Sequence, residues 1–269
     1  MPVKMAGGYG NLLGLRGAVA EENSSAGNGE SAILALAYAP GMRPAIDALV
    51  GLASRPGLDH QFTISHIAAE DCAWAELLAG GLTFDCRGLA PGRAGLHPGT
   101  GTLLGLADAP VGEIVTLEPA PHLAEAGGLL PVVRALAGIG AQLATLPGIL
   151  GVYWHPAHCW MNPKYFTGVV REWLGGGPFP ALGLTSLQQA RDGAMVSVGL
   201  AYLTGQELFF PPNRRLAPAA IARIAVRLVN DLLATGPLRE PLELTGPEGE
   251  RVAIKPILGG RQVQVLVTP

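Results

Sequence analysis

Charge is scarce in this chain. Charged residues make up 14% of its 269 residues, against about a quarter in an ordinary globular protein. Lysine occurs only at Lys4, Lys164 and Lys255, and the formal net charge is −3. Nucleic-acid binding needs a basic stripe that displaces counterions from phosphates. The densest basic set, Arg214, Arg215, Arg223 and Arg227, reads instead as the solvated face of one helix, so no nucleic-acid partner is expected. Cysteine is equally sparse. Cys72, Cys86 and Cys159 are odd in number and irregularly spaced, unlike the disulfide framework of a secreted protein, and point to a cytoplasmic location. Ala18-Val19-Ala20 imitates a leader cleavage site, but the stretch before it is rich in glycine and carries Arg16 where the apolar region should be. The uncharged run from Ala135 to Trp154 has the length of a membrane span. Pro147-Gly148 interrupts it and Gln142 and Thr145 place polar groups inside it, so a buried helix followed by a core strand is expected, with no membrane span.

Several catalytic signatures are also missing. The sequence contains no His-Glu-x-x-His helix, no serine-hydrolase elbow and no Gly-Lys-Ser/Thr phosphate loop. His97-Pro98-Gly99-Thr100-Gly101-Thr102 is glycine-rich, but a strand rather than a helix is expected after it, so it reads as a plain turn. No cofactor is expected.

What is present is a hydrophobic fraction of 49%, enough for a sizeable core, punctuated by 38 glycines and 23 prolines. Residues 1–30 read as a flexible arm, because Glu21–Glu30 is polar and small, with order starting at Ser31. Ile33–Ala39 reads as a buried strand and Arg43-Pro44 as the opening of a helix with Ile46, Leu49, Val50 and Ala53 on one face. Gln61–Ile67 alternates as a strand, and Asp71–Leu78 reads as one or two helical turns. Leu82–Cys86 and Thr102–Ala107 read as strands, and Leu129–Leu146 as a long apolar helix. The order then recurs: strand Ile149–Tyr153, helix Pro163–Leu174, strands Phe179–Leu184 and Ala194–Leu203, and a turn at Thr204-Gly205. Gln206–Phe210 returns as a hairpin arm, Leu216–Ala234 forms a helix, and Arg251–Lys255 and Gln262–Val267 form strands. The fold class expected is α+β: a mixed or antiparallel sheet carrying helices, in two β-α-β-β-α lobes, 31–147 and 148–269, sharing one continuous sheet.

The second half carries a family likeness. Gly151-Val152-Tyr153-Trp154 forms a strand ahead of a helix, and Gly199-Leu200, Gly205, Glu207 and Leu208 form a hairpin ahead of the last helix. Over residues 148–269 this resembles the bacterial family called domain of unknown function 4261. The resemblance implies an α+β bacterial protein in the cytoplasm and brings no assigned activity or catalytic residue. The chain departs from the pattern at Phe209-Phe210-Pro211-Pro212, a more apolar end to the hairpin.

Three local groups are candidates for chemistry. His155, His158 and Cys159 lie within five residues and are the residue types that hold zinc, with His66, His97 or His122 available as a further ligand. Aromatic and cysteine packing at a strand corner explains the same residues. Cys159 is also a candidate nucleophile, with His155 as base and Asn162 nearby to orient it. Glu207 is a candidate acid or base, with Asp192 as a weak partner; a hydrogen-bonded structural role involving an arginine of the final helix is the alternative. Leu208, Phe209 and Phe210 form a candidate contact patch for another protein. Two functions are therefore expected: a non-enzymatic protein-interaction module, or a metal-dependent hydrolase using His155, His158 and Cys159.

Overall fold

The computed structural model describes residues 32–55, 61–68, 73–213 and 215–268. The expected arm 1–30, Ser31, Cys72 and Arg214 lie outside them. Contacts divide the chain between Ala32 and Ile33, and everything below belongs to the unit from Ile33 onward.

In chain order the elements are β1 (Leu34–Tyr38), α1 (Ile46–Ala53), β2 (Thr63–Ile67), β3 (Trp74–Ala79), β4 (Leu82–Arg87), β5 (Thr102–Leu104), β6 (Glu113–Pro119), α2 (Leu130–Leu143), β7 (Ile149–Trp154), β8 (Cys159–Met161) and α3 (Pro163–Leu174). Then follow β9 (Ser186–Gln189), β10 (Met195–Val198), α4 (Leu200–Thr204), β11 (Glu207–Phe210), α5 (Pro218–Thr235), β12 (Leu242–Thr245), β13 (Arg251–Ile257) and β14 (Gln262–Thr268). They build an α+β fold on two sheets. The first has eight strands in the order β2-β3-β4-β6-β1-β7-β8-β5, and the second six in the order β12-β13-β14-β11-β10-β9. Among the described strands, β5–β8 and β11–β14 pair parallel and the other pairs antiparallel.

One face of the first sheet carries the main core. Leu34, Leu36 and Tyr38 pack with α2, whose Val133, Leu136 and Ile139 are fully buried or nearly so. The close fit explains Gly140, where a Cβ would stand 2.9 Å from Leu34 Cδ1. Tyr38 Oη donates to the Leu143 carbonyl at 3.0 Å, giving its buried hydroxyl the partner it needs. Helix α3 starts on Pro163 with Asn162 as its cap, the Oδ1 accepting from the Lys164 and Tyr165 amides. Arg134 of α2 closes its other end. The guanidinium lies 4.9 Å over the Trp173 ring and donates to the Leu174 carbonyl at 3.1 Å, a favourable place for a cation.

Several expected elements change. Asp71–Leu78 was expected to be helical, yet residues 74–79 form β3. Ala, Glu and Leu favour a helix, but β2 and β4 pair on either side, burying Ala75, Leu77 and Ala79 at the period-two spacing of a strand. Phe179–Leu184 is not a strand: Gly183 has φ +113° and the strand begins at Ser186. Ala194–Leu203 is cut at Gly199 (φ +92°), where the chain enters α4. Strands β10 and β11 do pair antiparallel, but α4 joins them in place of a tight turn. Thr102–Ala107 shortens to Leu104, because Gly105 (φ +71°) turns away. Strands β6, β8 and β12 were not foreseen. The sheet is not continuous but double. Across the lobe boundary at 147/148 the first sheet does continue, since β7 pairs with β1. The run 135–154 divides into the end of α2 and β7. Among the described residues no helix is long and apolar enough to cross a membrane.

Candidate functional site

Alternation along β7 and β8 decides where the histidine–cysteine segment points. Trp154 faces Cys159 in register, Tyr153 faces Trp160, and Val152 faces Met161. Val152, Trp154, Cys159 and Met161 join the main core, whereas Tyr153 and Trp160 belong to a separate cluster with Ala35, Ala37 and Ile114. Cys159 is thus turned to the helix side of the sheet and Tyr153 to the opposite side. Between the strands His155–Ala157 makes one 3-10 turn, and His158 takes a left-handed conformation (φ 47°) to re-enter β8.

Both histidines gather on Tyr153. The His155 ring meets the phenol edge-on at 4.8 Å, and His158 Nδ1 lies 3.2 Å from Tyr153 Oη. Burial, with His158 as a second cause, holds His155 down to about 4, so its imidazole is neutral at pH 7. Burial pushes the Cys159 thiol up to about 11. A nucleophilic or metal-binding cysteine needs a thiolate; this one is a thiol whose Sγ points 3.7 Å from the Trp160 carbonyl. Asn162, considered as an orienting group, caps α3. His97 does approach, its ring 5.5 Å from Trp160, but Nε2 is held by the Pro110 carbonyl at 2.8 Å and Nδ1 accepts from the Gly99 amide. His66 stacks against Trp74 and His122 meets Thr83 Oγ1, both away from the hairpin. Among the described residues, no three or more His, Cys, Asp or Glu side chains are grouped so as to hold a metal ion.

The loop bearing His97 presses on this cluster through two glycines. A Cβ on Gly151 would fall 2.5 Å from Pro110 Cγ, and one on Gly101 would collide with the His158 carbonyl. Trp160 Nε1 donates to the Gly99 carbonyl at 3.0 Å. The likeness-bearing Gly151-Val152-Tyr153-Trp154 therefore reads physically as contact glycine, core, outer cluster, core.

Glu207 is buried, and its partners are not the expected arginine. Oε1 accepts from the Gly199 and Ala201 amides at 3.0 and 2.9 Å, and Ser197 Oγ donates to Oε2 at 2.5 Å. Ser197 Oγ in turn accepts from the Leu208 amide at 2.7 Å. The carboxylate caps the first turn of α4 from the neighbouring strand, satisfying amides that a helix start leaves without partners. Burial raises its proton affinity, and these hydrogen bonds pull the other way. Asp192 accepts from the Ala194 amide in the preceding turn and is no partner of Glu207.

The apolar end of the hairpin is not an exposed patch. Leu208 and Phe210 are 0% and 2% exposed within the main core, and Phe209 is 7% exposed. Strand β11 lies between β10 and β14, which leaves it no free edge. Of the expected basic helix face only Arg223 and Arg227 lie on α5, both half exposed: Arg223 pairs with Glu248 at 2.6 Å, and Arg227 reaches Asp231 at 3.8 Å, whereas Arg215 precedes the helix.

The structure also places together a charged group that sequence reasoning missed. Across four strands, His66, Glu76, Asp85 and Glu118 stand in one register row on the face away from the helices. Asp85 and Glu118 are 4% and 9% exposed. One guanidinium serves both, Arg87 Nη2 reaching Asp85 at 2.6 Å and Nε reaching Glu118 at 3.0 Å. Its face lies 5.7 Å from the Trp74 ring. The local signal was Asp85-Cys86-Arg87 in an apolar strand: residues two apart share a face. The third member comes from β6, which was not identified.

Beside this row the first sheet ends at β2, and an open groove of about 570 Å³ runs between β2 and α1. Comparison with family models, with curated proteins and with solved structures finds no match.

Proposed function

We propose that this chain is a non-enzymatic protein-interaction module working in the cytoplasm of a bacterium, as its likeness to domain of unknown function 4261 implies. The observation that carries the reading is the use made of Glu207. Both oxygens of the carboxylate singled out for chemistry are engaged by Ser197, the Gly199 amide and the Ala201 amide, and the side chain is buried, an arrangement that favours a structural role over proton transfer to a substrate. Cys159 as a buried thiol and His155 as a neutral imidazole against Tyr153 support the same view.

The interaction surface differs from the one foreseen at Leu208–Phe210, which is buried. The groove along β2 takes its place. Tagged full-length chain, isolated from a bacterial cytoplasm, is expected to retain a stoichiometric protein that Val50→Glu releases, Val50 being 45% exposed in the groove wall. Turnover of an ester, amide or phosphoester that is lost in Glu207→Gln or Cys159→Ser at unchanged melting temperature refutes the reading. The alternative, a hydrolase taking zinc at His155, His158 and Cys159, is favoured less because Cys159 and Tyr153 face opposite sides of the sheet. One zinc per purified chain, lost in His158→Ala, would restore it.

A further inference from the structure

We infer that the free edge of β2 takes up an extended segment of a partner protein, one that alternates apolar and basic side chains. The inference rests on the interaction reading above and names its partner by chemistry. Among the described residues, strand β2 closes the eight-stranded order at one end with β3 as its one neighbour in the sheet, so its outer row of amides and carbonyls faces away from the sheet, where another strand can add. Space for that strand exists. The groove between β2 and α1 holds about 570 Å³ and is lined by apolar Val50, Ala53, Ile64 and Ile67 and by polar side chains that include Ser65 and His66 from the opposite face of β2.

The two faces of an added strand would meet different chemistry. Ile64 pairs with Leu77 and Ile67 with Ala75, both core-facing positions of β3. On this side Val50 and Ile67 remain 45% and 37% exposed, and every second residue of the incoming strand would cover them. His66 pairs with Glu76 on the other side, where the register row continues through Asp85 to Glu118. Among the described residues Glu76, Asp85 and Glu118 stand on that face, and Arg87 pairs with the buried Asp85 and Glu118. Glu76 is the nearest of them to the edge, held by the hydroxyl of Ser65 at 2.7 Å. The intervening residues of the partner would therefore carry lysine or arginine.

A second copy of this chain fits less well. It would bring another acidic row beside the first, and like charges set side by side oppose the pairing.

The test uses the full-length chain and a fluorescent ten-residue peptide alternating valine and lysine, read by anisotropy. Saturable binding is expected, weakened at least tenfold by exchanging every lysine for glutamate and at least tenfold by Val50→Glu. Glu76→Gln is expected to erase most of the preference for lysine over glutamate. Amide exchange of the unmutated chain adds a readout that needs no variant: peptide should protect residues 61–68 above all others. The inference is overturned if binding does not saturate below millimolar peptide, or if the glutamate peptide binds equally. A block peptide of five valines then five lysines binding as tightly, or protection appearing elsewhere, would overturn it as well. Self-association that Val50→Glu abolishes, with no peptide bound, gives the edge to a second copy. A stoichiometric partner that survives Val50→Glu removes the edge assignment but leaves the interaction reading standing; absence of any partner removes both.

Discussion

Truncating Glu207 to alanine tests whether this carboxylate is scaffold or chemistry. The side chain accepts from the Gly199 and Ala201 amides and from Ser197 Oγ, all at 3.0 Å or less, with 8% of its surface exposed. A hydrogen bond to a charged group contributes roughly 1.5–3 kcal/mol, and a buried donor stripped of its partner costs about 1–3 kcal/mol. Water entering the vacated space recovers part of this, so a loss of about 3–5 kcal/mol is expected from the unpaired amides and hydroxyl. For a body of this size that corresponds to a fall in Tm of roughly 10 °C. Glu207→Gln should cost about 1–2 kcal/mol, because its carbonyl can still serve both amides while its NH2 faces a hydroxyl already accepting from Leu208. Urea unfolding followed by tryptophan fluorescence reads both values. The pH profile adds a sign. Burial raises the folded-state proton affinity of Glu207 above that of the unfolded chain, so the folded form binds more protons through that interval. Its contribution is full below the ordinary carboxylate range and is lost as pH rises through the raised value. Glu207→Gln should flatten that fall. A loss below about 1 kcal/mol in the alanine variant would refute the capping argument.

Three further outcomes follow from the first sheet. Gly151→Ala places a methyl 2.5 Å from Pro110 Cγ and should cost about 2 kcal/mol by overpacking, measured by thermal melting. His155 is held down to about 4 by burial and by His158, so the unfolded chain binds the extra proton. Stability from this group is complete above its ordinary value of 6.5, falls by up to about 1.4 kcal/mol per pH unit on acidification, and is lost by about pH 4. His155→Gln should remove that slope. Arg87→Ala withdraws the cation shared by Asp85 and Glu118 and should destabilise by about 2 kcal/mol, the half-exposed guanidinium tempering the loss. Arg87→Lys should rescue it only partly, since one ammonium cannot match two carboxylates as a planar fork does.

What the sequence made legible was local. The four long helices were placed within a few residues, because Ile221, Ile224, Leu228 and Leu232 of α5 recur at the helical period and prolines mark helix starts. Strands β1, β7 and β13 were found from short apolar runs. What failed depended on partners distant in the chain. Trp74–Ala79 is helix-favouring in composition and becomes a strand only between β2 and β4. Strand β6 buries both faces, so its pattern lacks the alternation that announces a strand. The candidate site suffered similarly. His155, His158 and Cys159 are adjacent in the chain, yet the pleat sends Cys159 to the side opposite Tyr153. Glu207 was recognised as notable, but its partners, the α4 amides, were hidden because α4 was read as strand.

The missed charged row and the misplaced apolar patch share one cause. Hydrophobic periodicity reports which side chains leave water, and Leu208–Phe210 are apolar because β11 lies inside its sheet, not because another protein covers them. An open strand edge arises where a sheet stops, and the edge position of β2 depends on its place in the strand order. Ile64 and Ile67 look like ordinary strand residues in the sequence. Only the order β2-β3-β4-β6 puts them at a border, beside an acidic row assembled from three further strands. A strand edge bounded by apolar side chains on one face and carboxylates on the other can select a partner by alternation as well as by charge. On the proposal made for β2, that two-sided selection would separate a docking edge from one merely left uncovered. A block peptide of the same composition should therefore bind more weakly than its alternating counterpart.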